Sequence, residues 1–251
     1  DEHTSRGLGD VYKRQVWQHS YDELLNLWFL GSLLVGLGAL PAGWISDRWS
    51  RSGMIAVMFI GLGTSSILCG LSGNKVSLFI SLSLLGLFCA IYHPAGISWV
   101  VNTSKETGRA LGFNNIFGGV GIGLGAFLAG ILIDQINWQA AFMLPGLISL
   151  IVGFCLTYHL KSGKISIKNI SSEQFRENPE KNQMLKIAII MLLSITCLSF
   201  VYQILQTSLP KVIDIRLADS LDLSTSDIGY IIAAIYIVSG LMNYICLLYT
   251  S

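Results

Sequence analysis

No Asp, Glu, Lys or Arg separates Lys75 from Lys105, yet His93 lies inside that run, between Tyr92 and Pro94 in the stretch LFCAIYHPAGISWV. An imidazole titrates near neutral pH, and an ionisable group at membrane depth is a functional hypothesis by default. Three roles are open to it: carrying a proton, contacting a solute, or resting as a neutral histidine hydrogen-bonded between helices. Pro94 removes one backbone donor and bends or loosens the helix that carries it. A second cluster, in ALPAGWISDRWSRSG, sets Gly43 beside Asp47, Arg48 and Arg51. Its chemistry is ion pairing and carboxylate binding, and the plain alternative is a solvated surface turn. Tyr202 and Gln203 offer hydrogen bonds, either to a solute or to a neighbouring helix.

Other chemistry is missing. Apart from Asp47, Asp134 and Asp227 at segment ends, no carboxylate lies within the apolar segments, and Asp134 reads as a solvated terminus. The four histidines are scattered without an H-E-x-x-H pairing, so neither a metal site nor another cofactor is expected. No phosphate-binding G-x-x-x-x-G-K-[ST] loop is present. Cys69, Cys89, Cys155 and Cys197 stand singly and read as buried small hydrophobes. The net charge of +1 gives no reason to expect nucleic acid. A membrane-embedded enzyme would need a nucleophile and base or a metal cluster, and a purely structural or receptor-like membrane protein would need no charged loop of this kind.

The elements that position these residues are set by composition. Apolar residues make up 52% and charged residues only 12%, about half the charge of a soluble domain, so the solvent is mostly lipid. Seven apolar segments run at roughly 25–44, 54–71, 77–101, 111–134, 138–160, 187–209 and 227–245, each near the ~20 residues that cross a bilayer as helix. The alternating ten-residue strands of a β-barrel are absent. The expected fold class is therefore all-α, a polytopic transmembrane helix bundle. Ten basic residues flank one side, from Arg48 and Arg51 through Lys105 and Arg109 to the stretch Lys161–Lys186, against Lys75, Lys211 and Arg216 on the other. The positive-inside rule puts the former side in the cytoplasm.

G-W-I-S-D-R-W-S-R-S, from Gly43 to Ser52, resembles the signature loop G-x-L-a-D-R-x-G-R-[RK] of the major facilitator superfamily, with Ser50 and Ser52 as departures. The resemblance makes the first segment the family's second helix and the chain helices two to eight of twelve. It implies a secondary transporter working by alternating access, most often coupled to protons, with a small-molecule substrate, no cofactor and a monomeric whole. It implies a multi-pass protein of a cell membrane, inner or plasma, on a prokaryotic pattern. Asp47 would hold a cytoplasmic gate closed, facing the positive end of a neighbouring helix, and Arg48 and Arg51 would bind carboxylates there. YHPAG resembles a stretch seen in drug-export and small-acid branches, and the family's fourth, fifth and seventh helices line its cavity.

GRALGFNNIFGGVGIGLGAFLAGIL pairs Gly119 with Gly123 and Gly121 with Gly125 in G-x-x-x-G spacing, which lets helices approach closely. Packing is one role and a sliding contact during transport another, while Asn114 and Asn115 read as packing groups. GIGLGAFLAG also resembles the antiporter motif G-x-x-x-G-P-x-x-G-G, with Ala126 for its proline and Ala129 for one glycine. Export by antiport and organic-acid uptake by symport both stay open. DVYKRQ (Asp10–Gln15) and CLLYTS (Cys246–Ser251) are reverse-complementary at the codon level and match a translated sequencing adaptor. The expected organisation is 1–15 adaptor-derived, 16–160 an N-terminal bundle, 161–186 a cytoplasmic central loop, 187–245 the start of a second bundle and 246–251 adaptor-derived, an internal fragment overall.

Overall fold

The computed structural model describes residues 21–163, 181–218, 221 and 223–250. The expected adaptor-derived residues 1–15 and most of the central loop lie outside these. Every regular element among the described residues is helical: α1 (Tyr21–Arg48), α2 (Arg51–Gly70), α3 (Lys75–Cys89), a π turn (Tyr92–Ile97), α4 (Ser98–Thr103), α5 (Thr107–Gln135), α6 (Trp138–Lys161), α7 (Lys181–Ile213), a second π turn (Asp214–Ala218) and α8 (Thr225–Thr250). Seven spans are long and apolar enough to cross a membrane, with α3, the π turn and α4 acting as one. The expected all-α bundle with seven spans is what forms. Its helices outrun the apolar segments: α7 begins within the polar linker at Lys181, and α8 continues through 246–250.

Short polar side chains start these helices. Ser50, one of the departures in the signature loop, has extended backbone and accepts from the Gly53 amide at 3.1 Å, capping α2. Asn74 and Ser77 form a reciprocal capping box at α3. Asn137 accepts from the Ala140 amide at 2.8 Å at the head of α6, and Ser224 and Asp227 cap α8 reciprocally.

The described residues fall into two compact units. One holds the chain up to Gly96 together with α6 from Met143 onward. Inside it, α1 and α3 run parallel: Gly86 has no room for a methyl against the Gly31 backbone, Gly38 sits at Ala90, and Gly43 at Pro94. Glu23 and Lys75 pair at 3.3 Å across the first turns of α1 and α3. A second seam joins α2 to α6 antiparallel through Gly63 and Gly146, where Ser149 Oγ donates to the Phe59 carbonyl at 2.8 Å. The core mixes small side chains, Ala42, Ser65, Cys69, Ala90 and Ala95 among them, with Met54, Ile55, Met58, Leu78 and Ile91, while Phe29, Leu40 and Phe154 face outward, as lipid solvent allows.

The other unit holds Ile97–Phe142 and the described residues beyond 180. Its main seam is α5 against α8, with α4 touching α5 and α7 touching α8. Helix α5 groups with α8 from beyond the linker because both carry small residues at facing positions.

Candidate functional site

In the signature loop only Trp49 and Ser50 separate α1 from α2. This short connection places Asp47 and Arg51 one turn apart, and Arg51 Nη2 donates to Asp47 Oδ1 at 3.2 Å. Asp47 is exposed and Arg51 half-buried. The Arg48 guanidinium lies 3.9 Å from the centre of the Trp44 ring, a cation–π contact. A methyl on Gly43 would meet the Pro94 Cβ at 3.3 Å, so the glycine lets α1 come close to the π turn. Ser46 Oγ and Arg51 Nε are buried without a hydrogen-bond partner among the described residues.

Pro94 acts on its helix as its chemistry requires. The missing amide leaves the Ala90 carbonyl without its usual donor, and the ring would clash with that carbonyl in a regular helix. The chain responds by widening to a π turn over Tyr92–Ile97, a form found often at functional positions. His93 is exposed there, its ring edge-on to Tyr92 at 5.4 Å between centres. Tyr92 lies over Gly96, where a methyl would stand 3.1 Å from its ring.

Tyr202 and Gln203 are exposed in the middle of α7, with the Gln203 carbonyl accepting from Thr207 Oγ1 at 2.5 Å. They belong to a different unit from Tyr92 and His93, and each pair is described within its own.

Of the four glycines expected to pack, two do. A methyl on Gly119 would stand 3.0 Å from Gly240 Cα, and one on Gly123 would stand 3.0 Å from the Ala233 carbonyl oxygen. At Gly121 and Gly125 nothing among the described residues lies within 4 Å of such a methyl. The seam continues instead through Gly130 against Thr225 and Ser226, and through Gly229 against Ala126, with α5 and α8 antiparallel. Positions 119, 123, 126 and 130 are the stripe that 3.6-residue periodicity selects. That spacing was readable in the sequence, but the partner, α8, was not.

Asp134 is not merely a solvated terminus. Its Oδ2 accepts from the Ser226 amide at 2.7 Å and from Ser226 Oγ at 2.8 Å, so it tethers the head of α8 to the tail of α5. Of the cysteines expected to be buried, Cys69 is, but Cys155 and Cys197 are exposed, because they stand on outward faces. An open groove of about 500 Å³ lies at the α4–α5 turn, lined by Lys105, Glu106, Arg109 and Phe113 among others. The described residues contain no group of three or more His, Cys, Asp or Glu that could hold a metal ion.

Relatives of known naming match parts of the chain. Over 118 residues it is 30% identical to the puromycin resistance protein pur8 of Streptomyces alboniger, covering 45% of this chain and 22% of that protein. The probable anion transporter 6 of Arabidopsis thaliana chloroplasts is 32% identical over 156 residues, 59% of this chain and 29% of that one. The 4-hydroxybenzoate transporter PcaK of Pseudomonas aeruginosa is 25% identical over 154 residues, 59% and 34% respectively. The matched region thus spans about a quarter to a third of these relatives' length. No solved structure matches. The family model described as Major Facilitator Superfamily matches residues 18–249, nearly the whole chain. With seven membrane-length helices and the charged loop between α1 and α2, this chain is a multi-pass membrane protein that belongs to the Major Facilitator Superfamily.

Proposed function

We propose that the protein moves a small solute across a cell membrane by alternating access, driven by an ion gradient, protons in the first instance. The observation that carries this reading is the loop of Gly43, Asp47, Arg48 and Arg51 in a chain of this family. Asp47 and Arg51 pair at 3.2 Å, and Ser46 Oγ and Arg51 Nε are buried without a hydrogen-bond partner among the described residues, as suits a gate that exchanges contacts between states. The loop and the polar linker face the cytoplasm of a prokaryotic cell, the whole protein is a monomer, and neither cofactor nor metal is required. Tyr92 and His93, on a turn loosened by Pro94, and Tyr202 and Gln203 on α7 contact the solute, and His93 is the first candidate to carry the coupled proton.

Two substrate classes have support. A small organic acid taken up by symport is the first, because Ala126 and Ala129 depart from the antiporter motif and a 4-hydroxybenzoate transporter and a gallate transporter are among the relatives. Drug export is the second, favoured by resistance-protein relatives for puromycin and tetracenomycin C. Sealed vesicles carrying the protein are tested with radiolabelled 4-hydroxybenzoate and puromycin under an imposed pH gradient. Accumulation of the acid that collapses with the gradient supports symport, and gradient-driven movement of puromycin supports export. Fluxes of both no faster than in protein-free vesicles overturn the substrate assignment. Equal flux in native protein and an Asp47→Asn variant overturns the gate.

A further inference from the structure

Helix α5 has two unlike long faces. Positions 119, 123, 126 and 130 set small residues against α8. The face turned away from α8 carries Phe113, Phe117, Leu124 and Leu128, all exposed, with the two phenylalanine rings edge-on at 5.0 Å between centres. This apolar strip runs without a break into the open groove at the α4–α5 turn, because Phe113 belongs to both. The groove's lining adds Ser104, Lys105, Glu106 and Arg109, two cations against one carboxylate. Glu106 and Arg109 approach only to 3.5 Å, and with 73% and 71% of their side chains exposed the pair is weak. The groove therefore keeps a net positive charge.

A cationic head joined to an apolar strip is complementary to an amphiphile with an anionic head. The dimensions narrow the choice. Phe113 to Leu124 covers about 16 Å at 1.5 Å per residue, and half of a ~30 Å hydrocarbon core is about 15 Å. The strip below the groove thus matches one acyl chain in one leaflet. Lys105 and Arg109 also stand among the basic residues that the positive-inside rule places in the cytoplasm, where the leaflet carries anionic lipid. A free phosphate would use the cations and leave the strip without a purpose.

We propose that the groove at the α4–α5 turn is a binding site for an anionic phospholipid, its phosphate held by Lys105 and Arg109 and one acyl chain laid along Phe113, Phe117 and Leu124. Glu106 opposes the head group, so occupancy follows the balance of three charges. The site does not depend on the movement of any solute.

The full chain is reconstituted in phosphatidylcholine vesicles containing a small fraction of photoreactive lipid, either phosphatidylglycerol or phosphatidylcholine with the same diazirine in the same acyl chain. After illumination, cross-links over 110–128 are mapped by mass spectrometry. They are normalised to those at Ile151, which is exposed in α6 with no charged residue within two turns of it in sequence. At about fivefold per charge near a membrane surface, one net positive charge should give phosphatidylglycerol about a fivefold preference on this strip. Lys105→Gln and Arg109→Gln should each abolish the preference, and Glu106→Gln should raise it to about 25-fold. A gain in the last variant cannot come from misfolding, and its absence overturns the site. Equal labelling of the strip by the two lipids overturns it as well, leaving an ordinary lipid-facing surface. No labelling by either lipid overturns it too, since protein then covers the strip. A preference that survives both Lys105→Gln and Arg109→Gln overturns the place given to the head group. No solute is present in this experiment, so failure to select lipid leaves the transport reading untouched, and a protein that moves no solute can still show the site.

Discussion

Gly121 and Gly123 stand two residues apart in α5, and leucine at each should have opposite consequences. At Gly123 the first added carbon would lie 3.0 Å from the Ala233 carbonyl oxygen, 3.3 Å from Ala233 Cα and 3.2 Å from Ile237 Cγ1. Two of these three atoms are backbone, so no change of rotamer on α8 relieves the contact. Each further carbon extends about 1.5 Å, and the helices must part. Forcing extra carbons into a packed seam costs about 1–3 kcal/mol. At Gly121 nothing lies within 4 Å, and that cost is absent. Both variants gain the same helix propensity, roughly 0.8 kcal/mol for replacing glycine, so the comparison between them isolates the seam. At about 2–4 °C per kcal/mol for a chain of this size, Gly123→Leu should melt about 2–12 °C below Gly121→Leu. Thermal unfolding in detergent, followed by tryptophan fluorescence, measures the gap. Equal midpoints, or a lower midpoint for Gly121→Leu, would refute the seam and the reasoning that built it.

Three further outcomes are expected. Pro94→Ala keeps the Cβ that touches Gly43 but restores an amide for the Ala90 carbonyl, so it should convert the π turn to regular helix, raise the melting midpoint by up to the equivalent of about 3 kcal/mol, and slow transport; a lower midpoint contradicts this. Ser149→Ala removes the bond to the Phe59 carbonyl and should cost about 0.6 kcal/mol, with a ceiling near 1.7, read by the same melting assay. Asp47→Asn breaks an exposed pair worth about 0.3–0.5 kcal/mol, so its midpoint should hardly move while solute flux falls, and a large drop in midpoint would make the loop a structural brace instead.

The spans were legible in the sequence because a bilayer imposes length and apolarity that no soluble fold demands. Ion pairing in the charged loop was legible too, but not that Asp47 would take Arg51 as its partner. Pro94 announced a disturbed helix, and chemistry alone foretold the lost bond, though not that a π turn would absorb it. The choice between Gly119–Gly123 and Gly121–Gly125 was not legible: both pairs have the same spacing, and only the position of α8, about a hundred residues on, decides which face is covered. Asp134 was hidden for the same reason. Its partner, Ser226, is distant in sequence, and a lone carboxylate at a helix end looks like any solvated terminus.

The α1–α3 and α5–α8 seams also differ in time. Gly31 and Gly86 are about 55 residues apart in the chain, whereas Gly130 and Gly229 are about 100 apart. At roughly 5–20 residues per second, a ribosome delivers the partner of α1 within about 3–11 s but leaves the backbone-baring face of α5 waiting about 5–20 s. During that interval nothing made later in the chain can cover it. Synthesis therefore completes both sides of the α1–α3 seam well before both sides of the α5–α8 seam exist.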